Sequence, residues 1–300
     1  MTERLSYRIY NPKSFFGWSE HALNAYDICF YAEQAATSPA NIRFAKVVGH
    51  LLLLAPNADV REQVASCVQC KKLGTVYEVM QFLENCLIRP LQQNGGSCDS
   101  SYASTEQQDA NVLTAALAPH SALIRDGYRC IVTGLLDYRV PVDICPKREC
   151  AIVTSHAHII PTNVSIDFAS YDAGTNEQLA SIQTLLQCFG VDLSSPAVHS
   201  LSNIMTLQSD VRNAFSRLNF WLVATDVPHH YETRFAPYKK PPMLPPNVTF
   251  TSSNPDQLPL PSPELLSLHA TCAQVAQLSG AAEYFEKVDK KMADDVFNVA

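Results

Sequence analysis

The spacing of apolar residues changes along this chain, and that change limits the folds available to it. Through residues 1–92 apolar positions recur at three and four residues, as in "NIRFAKVVGHLLLLAP" and "TVYEVMQFLENCLIRPL". This period is typical of amphipathic helices. Later in the chain, short runs rich in Val and Ile alternate with helical stretches, which is typical of strands. The sequence therefore predicts an α+β fold.

Composition and charge narrow the class of protein. The 300 residues are 47% hydrophobic and 17% charged, which is enough apolar material to build a core. The formal net charge of -7 disfavours nucleic acid as a partner, because proteins that rely on phosphate contacts usually carry a basic face. The N-terminal residues show no secretory pattern, and the longest apolar run, Val47 to Pro56, is too short to span a bilayer. We expect a cytoplasmic protein with no membrane segment.

Polar and proline-rich stretches divide the chain into three parts. Residues 92–109 are rich in Gly, Ser and Gln and are predicted to form a flexible linker, so that residues 1–110 comprise a helical segment and this linker. Residues 111–235 hold the candidate core. Residues 236–300 begin with a proline-rich extended stretch and end in a helix, capped by Ser262, that we expect to pack on the core.

Within the candidate core the pattern predicts helices and short strands. A helix runs from Asn111 to about Asp126, and the runs "YRCIVTG" and "ECAIVTSHAHIIP" are expected to pair as strands around a long excursion. The stretch "SNIMTL" is predicted to be a loop. Ser209 is predicted to cap the helix "SDVRNAFSRLNF", and "FWLVAT" is predicted to form a further strand.

Four of these pieces stand in an order that resembles the HNH endonuclease superfamily, specifically its fungal members. They are "RDGYRCIVTG", "AHIIP", Asn203 with the apolar turn after it, and Phe215 on the next helix. The resemblance implies a ββα core between an N-terminal helical segment and a C-terminal helix. It also implies a nuclease in which His158 is the strand His and Asn203 orients that His or its backbone. A helix His, with a second ligand near the strand His, would hold one divalent ion.

The position that the resemblance assigns to the helix His is occupied by Arg212, nine residues after Asn203. A guanidinium is permanently charged and has only donors, so it cannot ligate a cation. At roughly 4 Å its repulsion of a cation is of order several kcal/mol. Neighbouring Asp210 and Asn213 point elsewhere on a helix. Arg212 is therefore expected to occupy the metal position and bind an anion or a carbonyl oxygen, or else to pair with an acid such as Asp226.

Other groups of potential ligands leave alternatives open. His156 alternates with His158, so both should face one side of a strand, where they line a polar pocket or are packed core residues. "CPKREC" (Cys145, Cys150) could join His156 in a zinc site, although the spacing fits zinc patterns poorly. His229 and His230 with Glu232, and the pair "CVQC", have ligand-like spacing, but a solvated strand edge and helix-face thiols explain them equally.

Three functions are compatible with these residues. The first is a metal-independent enzyme that uses His156, His158, Asn203 and Arg212 to activate a carbonyl of an apolar small molecule. A cyclase or pericyclase of fungal secondary metabolism, such as a Diels–Alderase, would suit such a site, since the protein mainly preorganises its substrate. The second is a divalent-metal-dependent DNA endonuclease, and the third is a non-catalytic binding protein. We favour the first, with no cofactor and no bound metal, and we also consider a homo-oligomer.

Overall fold

The structure is a computed structural model and has mixed α+β secondary structure. It describes residues 2–70, 75–92, 110–145, 151–161, 175–191, 200–237, 239 and 244–297. Contacts divide the chain into two units. Unit 1 comprises Met1–Gln92, Ser165–Asp192 and Ala270–Ala300, and unit 2 comprises Gln93–Val164 and Leu193–His269. The predicted division at 1–110, 111–235 and 236–300 follows composition rather than contacts and stays a prediction.

The helices begin where the sequence places capping residues. In chain order they are α1 (Glu20–Ala35), α2 (Pro39–Leu54), α3 (Ala58–Gln69), α4 (Val76–Leu83), α5 (Ala110–Arg125), α6 (Thr175–Cys188), α7 (Ser209–Ser216), α8 (Pro263–Ser279) and α9 (Ala281–Phe297). Ser19, Ser38 and Asn57 each accept a backbone N–H three residues later, which satisfies a donor that the helix leaves open. Thr75 and Glu78 form a capping box. The prediction of a mostly helical N-terminal part is confirmed.

Ser262 caps α8 as predicted, because its hydroxyl accepts the backbone N–H of Leu265 at 3.2 Å. The helix ends at Ser279, and Gly280, with φ +86°, separates it from α9. Helix α9 was not predicted from the sequence. Within the described residues, every helix is too short or too polar to cross a membrane.

The strands form two small antiparallel sheets within the residues described. They are β1 (Thr154–His158), β2 (Ile204–Gln208), β3 (Phe220–Ala224), β4 (His230–Phe235) and β5 (Asn247–Thr249). β1 pairs with β2, and β3, β4 and β5 form a second sheet in that order. The predicted strands at "ECAIVTSHAHIIP" and "FWLVAT" are confirmed as β1 and β3.

Three predictions for unit 2 are wrong. Ser209 does not cap α7, because it is the first residue of the helix, and Gln208 before it makes no side-chain capping hydrogen bond. "YRCIVTG" does not form a strand paired with β1. It makes one isolated bridge, from Arg129 to Leu136, and then a turn in which the N–H of Gly134 (φ +70°) bonds back to the carbonyl of Cys130 at 2.8 Å. "SNIMTL", predicted to be a loop, contains β2. Its residues from Ile204 to Leu207 are all buried, so the strand lacks the polar–apolar alternation that sequence reasoning requires.

A buried ion pair ties α2 to the end of α4. Arg43 donates through Nε and Nη2 to the two carboxylate oxygens of Glu84, at 2.7 and 3.0 Å, and the side chains are 11% and 1% exposed. Glu84 begins a π-helical turn, Glu84–Ile88. The Arg43 guanidinium also lies 3.6 Å from the ring centroid of Tyr284. The pair is a strong constraint on unit 1, because removal of either charge leaves the other buried without a partner.

We expect Arg43→Met to lower the free energy of unfolding by about 3 kcal/mol, since it leaves the Glu84 carboxylate buried and unpaired. The double variant Arg43→Met/Glu84→Met should recover most of that loss, because neither charge remains. Urea denaturation of the wild type and both variants measures this. Equal destabilisation by the single and double variants would contradict the explanation.

Candidate functional site

The pairing of β1 with β2 determines which side chains share a surface. Thr154, His156 and His158 lie opposite Gln208, Thr206 and Ile204, respectively. Residues directly opposite each other in an antiparallel pair lie on the same face. This face meets α5, because Ile204 packs with Ala118 and Ala122 of that helix. The two histidines therefore belong to the α5 side of the strand pair.

The opposite face of the strand pair meets α7. Ala157 of β1 and Met205 and Leu207 of β2 share a buried cluster with Val211 and Phe215 of the helix. The resemblance places the strand pair at "RDGYRCIVTG" and "AHIIP", whereas the structure pairs β1 with β2, so an HNH-like core stays a prediction.

His156 and His158 form a close pair on the first face. Their ring centroids are 5.8 Å apart and the rings meet edge to face at 89°. Both residues are half-buried. The prediction that they face one side of a strand is confirmed.

Asn203 holds the backbone just after His158. Its side-chain oxygen accepts the N–H of Ile160 at 2.9 Å, and its amide nitrogen donates to the Ile160 carbonyl at 2.8 Å. The Asn203 carbonyl also accepts the N–H of Ile159 at 2.8 Å. The residue is fully buried. Asn203 is therefore a positioning residue for the strand end, which is one of the two roles that the resemblance implies.

A buried ion pair that sequence reasoning missed fixes the segment that carries Asn203. Arg125 contacts both oxygens of Asp126 at 2.7 and 3.0 Å, and both side chains are inaccessible to solvent. Arg125 also donates to the carbonyls of Leu201 and Ile204, at 3.0 and 2.8 Å. Asp126 accepts the N–H of Thr206 at 3.0 Å. These two residues open the motif "RDGYRCIVTG", but only the fold shows which backbone groups they bind.

A second missed group fixes the opposite end of β1. The Asp137 carboxylate accepts the N–H and the hydroxyl of Thr154 at 2.9 and 2.5 Å, and the Nε of Arg139 at 2.8 Å. Burial alone would raise the pKa of Asp137, but hydrogen bonds from Arg139 and Thr154 outweigh it and lower the pKa to about 2. Both ends of the strand that carries the histidines are thus held by buried polar contacts.

Arg212 lies on α7, and its Nε is buried with no hydrogen-bond partner among the described residues. Asp210 and Asn213 are exposed, as their helix positions predict. The alternative ion pair with Asp226 is not formed within the described part of the chain. An N–H donor buried without an acceptor costs free energy, so the position favours a ligand or water that accepts this hydrogen.

The described contacts do not join Arg212 to the two histidines. His156 and His158 lie on the α5 face of the strand pair, whereas α7 packs on the other face, where the buried residue of β1 is Ala157. Asn203 joins the histidines at the strand end. Side chains along a strand alternate between its two faces, which is why His158 and Ala157 point in opposite directions. A single cleft lined by all four predicted residues stays a prediction.

A buried histidine on α8 was also missed. His269 stacks on Phe215 with ring centroids 3.7 Å apart, and its Nε2 lies 3.3 Å from the Phe215 carbonyl. Burial lowers the pKa of His269 to about 3, so the ring is neutral at physiological pH. Since a carbonyl only accepts, Nε2 carries the proton, and Nδ1 is a buried acceptor without a partner among the described residues. The sequence contains this residue in "SPELLSLH" but gives it no role.

The predicted metal-ligand groups are not assembled in the part of the chain that the structure describes. Those residues contain no group of three or more His, Cys, Asp or Glu placed to hold an ion. His230 Nδ1 lies 2.7 Å from the hydroxyl of Thr249, and His229 Nδ1 is buried. Cys145 is half-buried. Cys150 lies outside the described residues.

Comparison of the chain with protein families, with curated proteins and with solved structures found no match. The resemblance to HNH proteins therefore stays a prediction that rests on the sequence motifs alone.

We expect Asn203→Asp to destabilise the protein by about 2 kcal/mol at pH 7, because a carboxylate cannot donate to the Ile160 carbonyl and is buried. Asn213→Asp, on the exposed side of α7, is the matched control and should change stability by no more than about 0.5 kcal/mol. Chemical denaturation measures both. Equal stability of the two variants would show that Asn203 does not position the end of the strand.

The Asp137 contacts predict an acid-sensitive contribution to stability. The folded pKa of about 2 lies below the usual value near 4. The contribution is therefore fully present above about pH 4 and is lost as the pH falls towards 2, because the unfolded state binds the proton first. Asp137→Asn should lose about 2 kcal/mol at neutral pH and most of this pH dependence. Asp143→Asn, which alters an exposed carboxylate, should keep the wild-type profile in thermal melts between pH 2 and 7.

Proposed function

We propose that unit 2 contains an HNH-like ββα element, formed by β1, β2 and α7, that works without a divalent metal. It would bind a largely apolar small molecule that carries a carbonyl group and would promote its cyclisation. The observation that carries this proposal is the buried, unpartnered Nε of Arg212 at the helix position where a metal-ligating nuclease needs a lone pair.

The residues between α7 and β1 support a site adapted to an electron-rich oxygen rather than to a cation. Arg212 offers a permanent positive charge and donors only, and Ala157, the buried β1 residue on the α7 side, has no ligand atom. A carbonyl or enolate oxygen is the complementary partner. A preformed N–H donor in a water-poor environment stabilises developing negative charge on such an oxygen, since it needs no reorganisation during the reaction.

The histidine pair supplies a second, separate set of groups. His156 and His158 lie 5.8 Å apart on a strand held at both ends. The pair lies on the α5 face of the strands, opposite α7, so it would not contact the oxygen bound by Arg212. A cyclase or pericyclase of secondary metabolism is the class of enzyme that uses such groups.

The first test of the proposal is a nuclease assay. We expect purified protein with Mg²⁺, Mn²⁺ or Ni²⁺ to leave supercoiled plasmid intact, because the guanidinium of Arg212 repels a cation at the helix position. Arg212→His removes the charge but adds a lone imidazole, and we expect no divalent-ion affinity in calorimetric titration, because Ala157 on the α7 face offers no second ligand. Metal-dependent nicking by the wild type that survives removal of contaminants would establish the endonuclease function instead.

The small-molecule function is tested with a panel of apolar compounds that contain enone, lactone or tetramic-acid carbonyls. Ligands that raise the melting temperature of the wild type should lose that effect in Arg212→Ala, because the donor for their oxygen is absent. Arg217→Ala, which removes an exposed arginine just after α7, is the matched control and should behave as the wild type. Equal ligand effects in both variants would refute the role of Arg212, and binding without conversion would favour the non-catalytic function.

A further inference from the structure

Residues 2–6 lie on unit 1 in the manner of a docked peptide. They form neither helix nor strand, and within this segment only Leu5 is buried. Leu5 is 4% exposed. A short stretch held by one apolar anchor and by its main chain is how peptide-recognition grooves hold their ligands.

Side chains of α1 bind the main chain of this segment. The Glu33 carboxylate accepts the N–H of Leu5 at 2.9 Å, and the hydroxyl of Tyr26 donates to the Ser6 carbonyl at 2.8 Å. Glu33 is buried, and Lys46 Nζ lies 4.0 Å from its other oxygen. A buried carboxylate beside a buried ammonium gives the groove a fixed acceptor for a peptide N–H.

The other side of the groove is formed by α2 and α8. The Nε2 of His50 lies 3.3 Å from the Glu3 carbonyl, and the N–H of Glu3 donates to the Leu278 carbonyl at 2.9 Å. These contacts, like those from α1, engage backbone groups. They hold an extended main chain whatever its exposed side chains are, so the leucine supplies the specificity.

Gly49 forms the floor of the leucine pocket. A Cβ at this position would lie 2.4 Å from Leu5 Cδ1 and 2.6 Å from Cδ2. Glycine within a helix costs up to about 1 kcal/mol relative to alanine, and here it makes room for the anchor.

The segment joins α1 through residues 7–18, which are mostly exposed except for Phe15, a buried residue packed on Tyr26 with ring centroids 4.7 Å apart. This connection consists of two 3₁₀ turns, Arg8–Tyr10 and Pro12–Phe15, followed by Gly17 with φ +77°. Tyr10 is 84% exposed and Phe16 is 92% exposed. Large exposed aromatic residues in a connection of this kind are suited to packing against another copy when the connection opens.

We propose that this groove is a peptide-binding surface whose intermolecular partner is the same segment, residues 2–6, of a second copy of this chain. Exchange of the segments would give a segment-swapped dimer with no new groove contacts, because each copy repeats the contacts already made within one chain. The proposal concerns unit 1 and is independent of the function proposed for unit 2. The dimer competes with the intramolecular contact, which has the advantage of a short tether, so the proportion of dimer rises with protein concentration.

Two full-length variants test the segment, residues 2–6, and the groove separately. Leu5→Asp removes the anchor and leaves the groove intact. Gly49→Leu fills the pocket with its own side chain and leaves the segment intact but displaced. We expect each variant alone to be monomeric and an equimolar mixture to form a heterodimer, measured by light scattering after size-exclusion chromatography. The double variant Leu5→Asp/Gly49→Leu mixed with Leu5→Asp is the control and should not dimerise.

A mixture of the two single variants that stays monomeric would falsify the proposal, provided both give cooperative thermal melts. If either variant does not fold, the pair Leu5→Ala and Gly49→Val replaces it. An acetylated peptide of residues 2–7, TERLSY, is then the probe in fluorescence polarisation. We expect saturable binding to the Leu5→Ala protein and at least about ten-fold weaker binding of the peptide with alanine in place of Leu5, as loss of a buried leucyl side chain predicts. Equal binding of both peptides overturns the groove assignment.

Discussion

The buried guanidinium of Arg125 is the contact on which the arrangement of unit 2 depends. With Asp126 it joins the end of α5 to the carbonyls of Leu201 and Ile204 and to the N–H of Thr206. Arg125 also donates to the carbonyl of Pro259 at 3.1 Å, so three separate parts of the chain meet at one side chain. Two charges withdrawn from water are stable only when every donor and acceptor around them is paired. The pair therefore permits one position for the start of β2.

The backbone of the candidate site is therefore held in place by contacts that do not involve the proposed functional side chains. β2 is placed by the pair at the end of α5, and β1 is held by Asp137 at one end and by Asn203 at the other. None of these contacts needs a metal ion or a particular residue at positions 157 and 212. The framework of two strands and a helix can therefore be kept whatever residues stand at positions 157 and 212. That separation between framework and chemistry is the physical basis of the function we propose.

Unit 1 uses polar side chains in the same manner, to bind main chain that has no secondary-structure partners. Glu33, His50 and Tyr26 satisfy backbone groups of residues 2–6, as Asn203 does for Ile160 in unit 2. A backbone group near the protein interior must find a hydrogen-bond partner, and a side chain can supply it where a helix or a sheet does not. These contacts make irregular segments specific, and a segment held in this way can exchange with an identical one.

The sequence by itself determined the fold class and the elements whose signals are local. The helix start at Ser262 follows from capping chemistry, and the alternation that sets His156 and His158 on one face follows from the geometry of a strand. The pairing of β1 with β2 was decided only in the tertiary structure, since the two strands are separated by a long stretch of chain and β2 is buried on both faces.

The roles of Arg125, Asp137 and His269 were likewise decided by the fold. Arginine, aspartate and histidine on a surface have the same sequence signature as those in a buried network. The difference lies in which distant carbonyl or N–H the folded chain brings within 3 Å, and no local pattern encodes that distance. For the same reason the sequence could indicate the residue types at the candidate site, but only the packing of α5 and α7 on opposite faces of the strand pair shows which of them lie together.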